Sequence, residues 1–121
     1  MSTKGKILIV DDELAVCKVL SLYFKKRNYP VAEAHSGKEA LEKVRDEGPK
    51  FILLDYLMPG LNGLEVLEQI KKEWPDKVVI MMTGVDEEWI YEKARALGVY
   101  DFLMKPLDYE YLEKLIVTKL I

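Results

Sequence analysis

Cysteine and histidine are almost missing from this chain. Cys17 is the only cysteine, which excludes a disulfide framework and a cysteine-based zinc site. His35 is the only histidine, so no site built on several imidazoles is available. No linker, internal repeat or low-complexity tract breaks the sequence. The longest apolar runs reach only strand length, well short of the ~20 residues that cross a bilayer, so no membrane span is expected. The opening, Met1 to Lys6, leads into a run of only four apolar residues, Ile7 to Val10, too short for the core of a signal peptide. An excess of positive charge is also missing. With 18 Lys and Arg against 21 Asp and Glu the net charge is −3, and direct nucleic-acid binding by this domain is not expected.

What remains is 121 residues, 50% hydrophobic and 32% charged. That is the size of one domain, 1–121, able to hide about two-thirds of its unfolded surface in a core. A soluble, cytoplasmic domain is the expectation.

Strand-like and helix-like segments alternate along it. Ile7–Val10, Phe51–Leu54 and Val78–Met82 are continuous apolar runs, the pattern of strands covered on both faces. Tyr29–Ala34 and Tyr100–Met104 are weaker candidates, and Pro30 suits a strand start or a sheet edge. Five helical stripes lie between and after them: Val16, Leu20, Tyr23 and Phe24; Ala40, Leu41 and Val44; Leu64, Leu67, Ile70 and Trp74; Ile90, Ala94 and Leu97; Leu112, Leu115 and Ile116. Ser36 to Glu39 reads as a capping box, Asp86 and Asp108 as caps, Gly98 and Pro75 as stops. In the last helix Tyr109, Val117, Leu120 and Ile121 are left over on faces away from the sheet, a sign of an interface. The fold class is α/β: a three-layer (βα)5 domain with a five-stranded parallel sheet and helices on both faces.

The polar residues that follow the strands are the informative ones. Asp11-Asp12-Glu13 follows the first, Asp55 the third, Thr83-Gly84 the fourth and Lys105-Pro106 the fifth. In open α/β sheets ligands bind beyond the carboxyl ends of the strands, where strand order reverses. A 2-1-3-4-5 order would gather Asp11, Asp12 and Asp55, with Thr83 and Lys105 on the far side. Three close carboxylates repel unless a cation joins them, and an all-oxygen set favours Mg2+. A hydroxyl and an ammonium beside one carboxylate are what a phosphoryl group needs on its other oxygens.

These residues resemble the receiver domain of two-component response regulators from about Lys6 to the chain end. The motif is an acidic pair after strand 1, an Asp after strand 3, Met-Pro-x-x-x-Gly (Met58 to Gly63), a Ser/Thr after strand 4 and Lys-Pro after strand 5. The resemblance implies that Asp55 takes phosphate from a phosphohistidine on a sensor histidine kinase or phosphotransfer protein. It implies that Asp12, Asp55 and the Leu57 carbonyl bind Mg2+ directly, with Asp11 acting through water. Thr83 and Lys105 would hold phosphoryl oxygens, and the Lys105–Pro106 bond would be cis. Thr83 and Phe102 would form the switch that reshapes the face of helix 4, strand 5 and helix 5, where partners dock or a homodimer forms. The domain would be no enzyme in the sense of turning over a separate substrate, only a self-phosphorylating acceptor that slowly loses its phosphate. It could act alone, in a phosphorelay, or as the receiver of a longer transcriptional regulator.

Plainer readings stand beside these. Asp11-Asp12 can cap a helix, and Asn62-Gly63 can turn a hairpin, although the helical stripe after it favours entry into a helix. His35 reads as a loop residue, Cys17 as a packed inert thiol, Met81 and Met82 as core. An aspartyl-phosphate phosphatase or mutase would carry a second acid two residues after the nucleophile, where Leu57 stands. A flavin carrier would want a glycine- and hydroxyl-rich first loop instead of Asp11-Asp12-Glu13. A binding module that never takes phosphate would be expected to lose an acid or the lysine, and both are kept.

Overall fold

The structure is a computed structural model and describes residues 4–120. Five strands and five helices alternate strictly: β1 (Ile7–Val10), α1 (Leu14–Lys25), β2 (Val31–Ala34), α2 (Gly37–Glu47), β3 (Phe51–Asp55), α3 (Gly63–Glu73), β4 (Val78–Thr83), α4 (Glu88–Ala96), β5 (Asp101–Met104) and α5 (Tyr109–Leu120). The strands form one parallel sheet in the order β2-β1-β3-β4-β5.

Alternate residues of each strand feed two cores. Leu8, Val10, Ile52 and Leu54 pack with α2, α3 and α4, while Ile7, Ile9, Phe51 and Leu53 pack with α1 and α5. Both faces are dry, which is why the central strands carry unbroken apolar runs. Met81 and Met82 are core, one on each side.

Helix entries follow local chemistry. The Asn62 side chain accepts from the Glu65 N–H at 3.0 Å, and Glu65 accepts from the Asn62 N–H at 3.1 Å, a full capping box. Asn62-Gly63 therefore starts a helix and not a hairpin. Asp108 accepts from the Tyr111 N–H at 3.1 Å, as a cap should. Gly98, just past α4, takes the left-handed φ of +95° that favours glycine.

Several expectations are corrected. Asp86 does not cap α4: the helix starts a residue later, behind Glu87, whose carboxylate accepts from the Trp89 indole instead of the helix backbone. The Ser36 box is half made. Ser36 accepts from the Glu39 N–H, but Glu39 accepts from the His35 N–H, not from that of Ser36. Tyr29 precedes β2, buried against Phe24 at 5.5 Å between ring centres, and Tyr100 precedes β5. Tyr109 and Leu120 are not left over: both pack on the α1/α5 core, Tyr109 stacked on Tyr23, and only Val117 of that group stays exposed. Ile121 lies outside the described residues, as do Met1 to Thr3. Among the described residues no helix is long and apolar enough to cross a membrane.

Candidate functional site

Strand register assembles the site. Val10 pairs with Leu54, so the next residues, Asp11 and Asp55, sit side by side at the carboxyl rim. Asp55 pairs with Met82 and Thr83 with Met104, which brings the ends of β4 and β5 alongside. The Asp11 N–H donates to the Ala34 carbonyl at 3.1 Å and the Lys105 N–H to the Thr83 carbonyl at 2.8 Å, extending the sheet past its last formal pairs.

Carboxylate oxygens of Asp11, Asp12 and Asp55 lie within 4.8 Å of one another. Asp11, Asp55 and Thr83 are buried while Asp12 is exposed, so the cluster opens to solvent on one side only. Lys105 Nζ reaches in from just past the end of β5, 2.8 Å from Asp11 Oδ2 and 3.3 Å from Asp55 Oδ1. Asp11 does not cap α1, which begins behind Glu13 without any side-chain cap. Its Oδ1 accepts from the Glu13 N–H at 2.9 Å, which fixes the acidic turn.

Burial pushes the Asp55 carboxyl up from 3.8 to about 6, with the neighbouring charge of Asp11 adding to it, Lys105 opposing and Asp12 adding a little. Burial also pulls the Lys105 ammonium down, but its hydrogen bond to Asp11 and the charges of Asp55 and Asp11 outweigh that, and its pKa is raised. Among the described residues three carboxylates thus share a single ammonium, so the cluster has more acidic groups than cations to face them.

The donor set fits a hard divalent ion: three carboxylates, no sulfur or nitrogen ligand among them, one side open for water. Asp12 stands on the exposed side with Asp55 buried behind it, and Leu57 lies in the loop two residues after Asp55 with its side chain exposed. Thr83 Oγ1 accepts from the Val85 N–H at 2.9 Å, so its hydroxyl is engaged by its own loop. The Lys105–Pro106 bond is cis. Phe102 lies half-buried on β5, its ring 5.6 Å from that of Tyr91 on α4 in an edge-to-face pair. Tyr91 was not legible as its partner, because helical spacing alone does not reveal which exposed ring meets a strand.

The sequence pattern of the response regulator receiver domain matches residues 7–117. The chain belongs to that family. Among curated relatives, this receiver domain is 39% identical over 111 residues to the uncharacterized transcriptional regulatory protein YkoG of Bacillus subtilis, covering 90% of this chain and 48% of that protein. It is 40% identical over 109 residues to the transcriptional regulatory protein ResD of the same organism, covering 88% of this chain and 44% of that one. The chain thus spans about half the length of these relatives. Among solved structures it is similar to a CheY-like receiver domain protein from Methanospirillum hungatei, with TM-score 0.93, 30% identity and coverage of 97% and 94%. A receiver protein from Pseudomonas putida gives 0.91, 26%, 98% and 99%. As a receiver domain the chain is a signalling component of two-component systems, which separates it from substrate-turnover phosphatases and flavin carriers.

Proposed function

We propose that the domain accepts a phosphoryl group on Asp55 from a phosphohistidine of a sensor histidine kinase or phosphotransfer protein, in the cytoplasm. The observation that carries this reading is the placement of Lys105 Nζ between Asp11 and Asp55, at 2.8 and 3.3 Å. A cation fixed at a buried carboxylate neutralises charge where a phosphoryl group would add more. In the transfer, an Asp55 carboxylate oxygen attacks phosphorus while the N–P bond to imidazole breaks. The imidazole leaves with the electron pair and takes a proton. Attack by water later releases inorganic phosphate and restores the carboxylate.

Asp12, Asp55 and the Leu57 carbonyl would hold Mg2+ directly and Asp11 through water. Bound there, the ion supplies charge neutralisation for the incoming phosphoryl oxygens. Lys105 pairs with one phosphoryl oxygen and thereby leaves Asp11. Thr83 exchanges the Val85 N–H for another oxygen, drawing the β4–α4 loop inward. Phe102 then turns from its contact with Tyr91, and the α4–β5–α5 face changes for a partner or a second copy of the domain.

The test is incubation with acetyl phosphate and Mg2+, read by intact mass. One phosphoryl group should add to the native protein and none to Asp55→Asn. Equal labelling of the variant would refute the assignment.

A further inference from the structure

Away from the acidic rim, on the β2 side of the sheet, three unlike donors meet. The Cys17 thiol, a Glu33 carboxylate oxygen and a His35 ring nitrogen lie within 4.8 Å of one another. They come from α1, β2 and the turn after β2. We propose that Cys17, Glu33 and His35 form a second cation site, built for a borderline-soft divalent ion of the Zn2+ kind and not for Mg2+.

The ligand set argues the metal. Sulfur, imidazole nitrogen and one carboxylate oxygen are the donors Zn2+ takes, whereas Mg2+ takes oxygen. The spacing argues the geometry. His35 Nε2 and Glu33 Oε1 are 3.3 Å apart. This pair is hydrogen-bonded in the structure, and its spacing equals the roughly 3.3 Å that a tetrahedral ion with bonds of about 2.0 Å would impose on two ligands.

The surroundings also have the form of a metal site. Ligands are ordinarily oriented by outer hydrogen-bond partners, a carboxylate behind the imidazole most of all. Here Glu39 Oε1 accepts from the His35 backbone N–H at 2.5 Å and stands 3.8 Å from His35 Nδ1, too far for a hydrogen bond to the ring but within ion-pair range of it. Ser21 donates to Glu33 Oε2 at 2.7 Å, and Oε1 is paired with His35 Nε2, so an ion entering between them would replace that contact. Cys17 is fully buried, but the His35 side chain is 40% exposed, so the site opens at the imidazole for entry and for a water as fourth ligand. Binding replaces the S–H proton by the metal and releases that proton to solvent. It also withdraws the S–H from the Asp11 carbonyl, which it contacts at 3.3 Å, so the new site adjoins the turn that carries the acidic rim. A single cysteine leads to the expectation that no cysteine-based zinc site forms; that expectation holds for sites made of several thiols, and this trio departs from it with one donor of each kind.

The test is calorimetric titration of the whole chain with Zn2+ in excess Mg2+, with Co2+ as a spectroscopic substitute. One Zn2+ per chain and a thiolate-to-cobalt charge-transfer band are expected. His35→Gln, in the half-exposed turn after β2, should weaken Zn2+ binding at least as much as the ~10–100-fold that loss of an outer hydrogen-bond partner costs, and Cys17→Ala should abolish the cobalt band. Asp12→Asn should leave Zn2+ affinity unchanged. No Zn2+ uptake, uptake indifferent to His35→Gln, or uptake lost only in Asp12→Asn, which would place the ion in the acidic rim, each overturns the proposal.

Discussion

Gly63 lies directly against the backbone of Asp55: a Cβ at position 63 would stand 2.5 Å from the Asp55 carbonyl oxygen and 2.8 Å from Tyr56 Cα. Its N–H donates to the Tyr56 carbonyl at 2.8 Å. The glycine of the Met58-to-Gly63 motif therefore lets α3 begin in contact with the strand end that carries the phosphoacceptor. Gly63→Ala should cost about 1–3 kcal/mol in urea unfolding through overpacking. It should also slow labelling by acetyl phosphate, because the displaced atoms belong to Asp55 itself.

Lys105→Met should leave Asp11 and Asp55 facing each other without their cation. The Asp55 carboxyl should then titrate above about 6, since Lys105 is the principal group holding it down. Carbon NMR titration of the Asp carboxyls in Mg2+-free buffer measures this. An unchanged or lower value would contradict the electrostatic account of the site.

Stability should depend on pH through Asp55. Its folded pKa, about 6, lies above the ordinary 3.8, so between these values the folded state binds more protons than the unfolded one. Stability from this group is therefore present below about pH 4 and lost as pH rises to about 6, by up to about 3 kcal/mol. Other carboxylates have lowered values and oppose the trend, so the readout is the difference between native protein and Asp55→Asn in urea unfolding with a chelator present. The variant should be the more stable of the two at pH 7. Mg2+ should narrow that gap by stabilising the native protein.

Phe102→Ala removes an edge-to-face ring pair worth about 0.5–1.5 kcal/mol beyond its buried area. Phosphorylation of Asp55 should survive, since Phe102 sits on β5 with β4 between it and the strand that carries Asp55. Amide NMR shifts on phosphorylation should shrink around Tyr91, Met104 and Tyr111. Undiminished shifts there would remove Phe102 from the switch.

Asn62→Ala should cost about 1 kcal/mol, from losing one half of the capping box at the start of α3. Thermal unfolding checks it, and Asn62→Asp should recover most of the loss.

Much of this protein was legible in its sequence because strand burial and strand-end chemistry are local patterns. Unbroken runs such as Ile7–Val10 and Phe51–Leu54 belong in a parallel sheet covered on both faces, and alternation of helix and strand leaves few ways to connect them. Polar residues directly after such strands must come out on one rim, which is why the sequence alone gathers Asp11, Asp12, Asp55, Thr83 and Lys105.

Contacts between elements needed the tertiary structure. Helix periodicity says which face is apolar but not what meets it, so Tyr109 and Leu120 looked unpartnered until α1 was seen against α5. Cap chemistry at Asp86 and Ser36 competed with nearby side chains, and the outcome turned on a residue or two of backbone path. The ion pair of Lys105 with Asp11 spans 94 positions, and the trio of Cys17, Glu33 and His35 joins three segments. A sequence orders its residues along a line; which distant charges and donors share a few ångströms is decided only when the sheet sets their register.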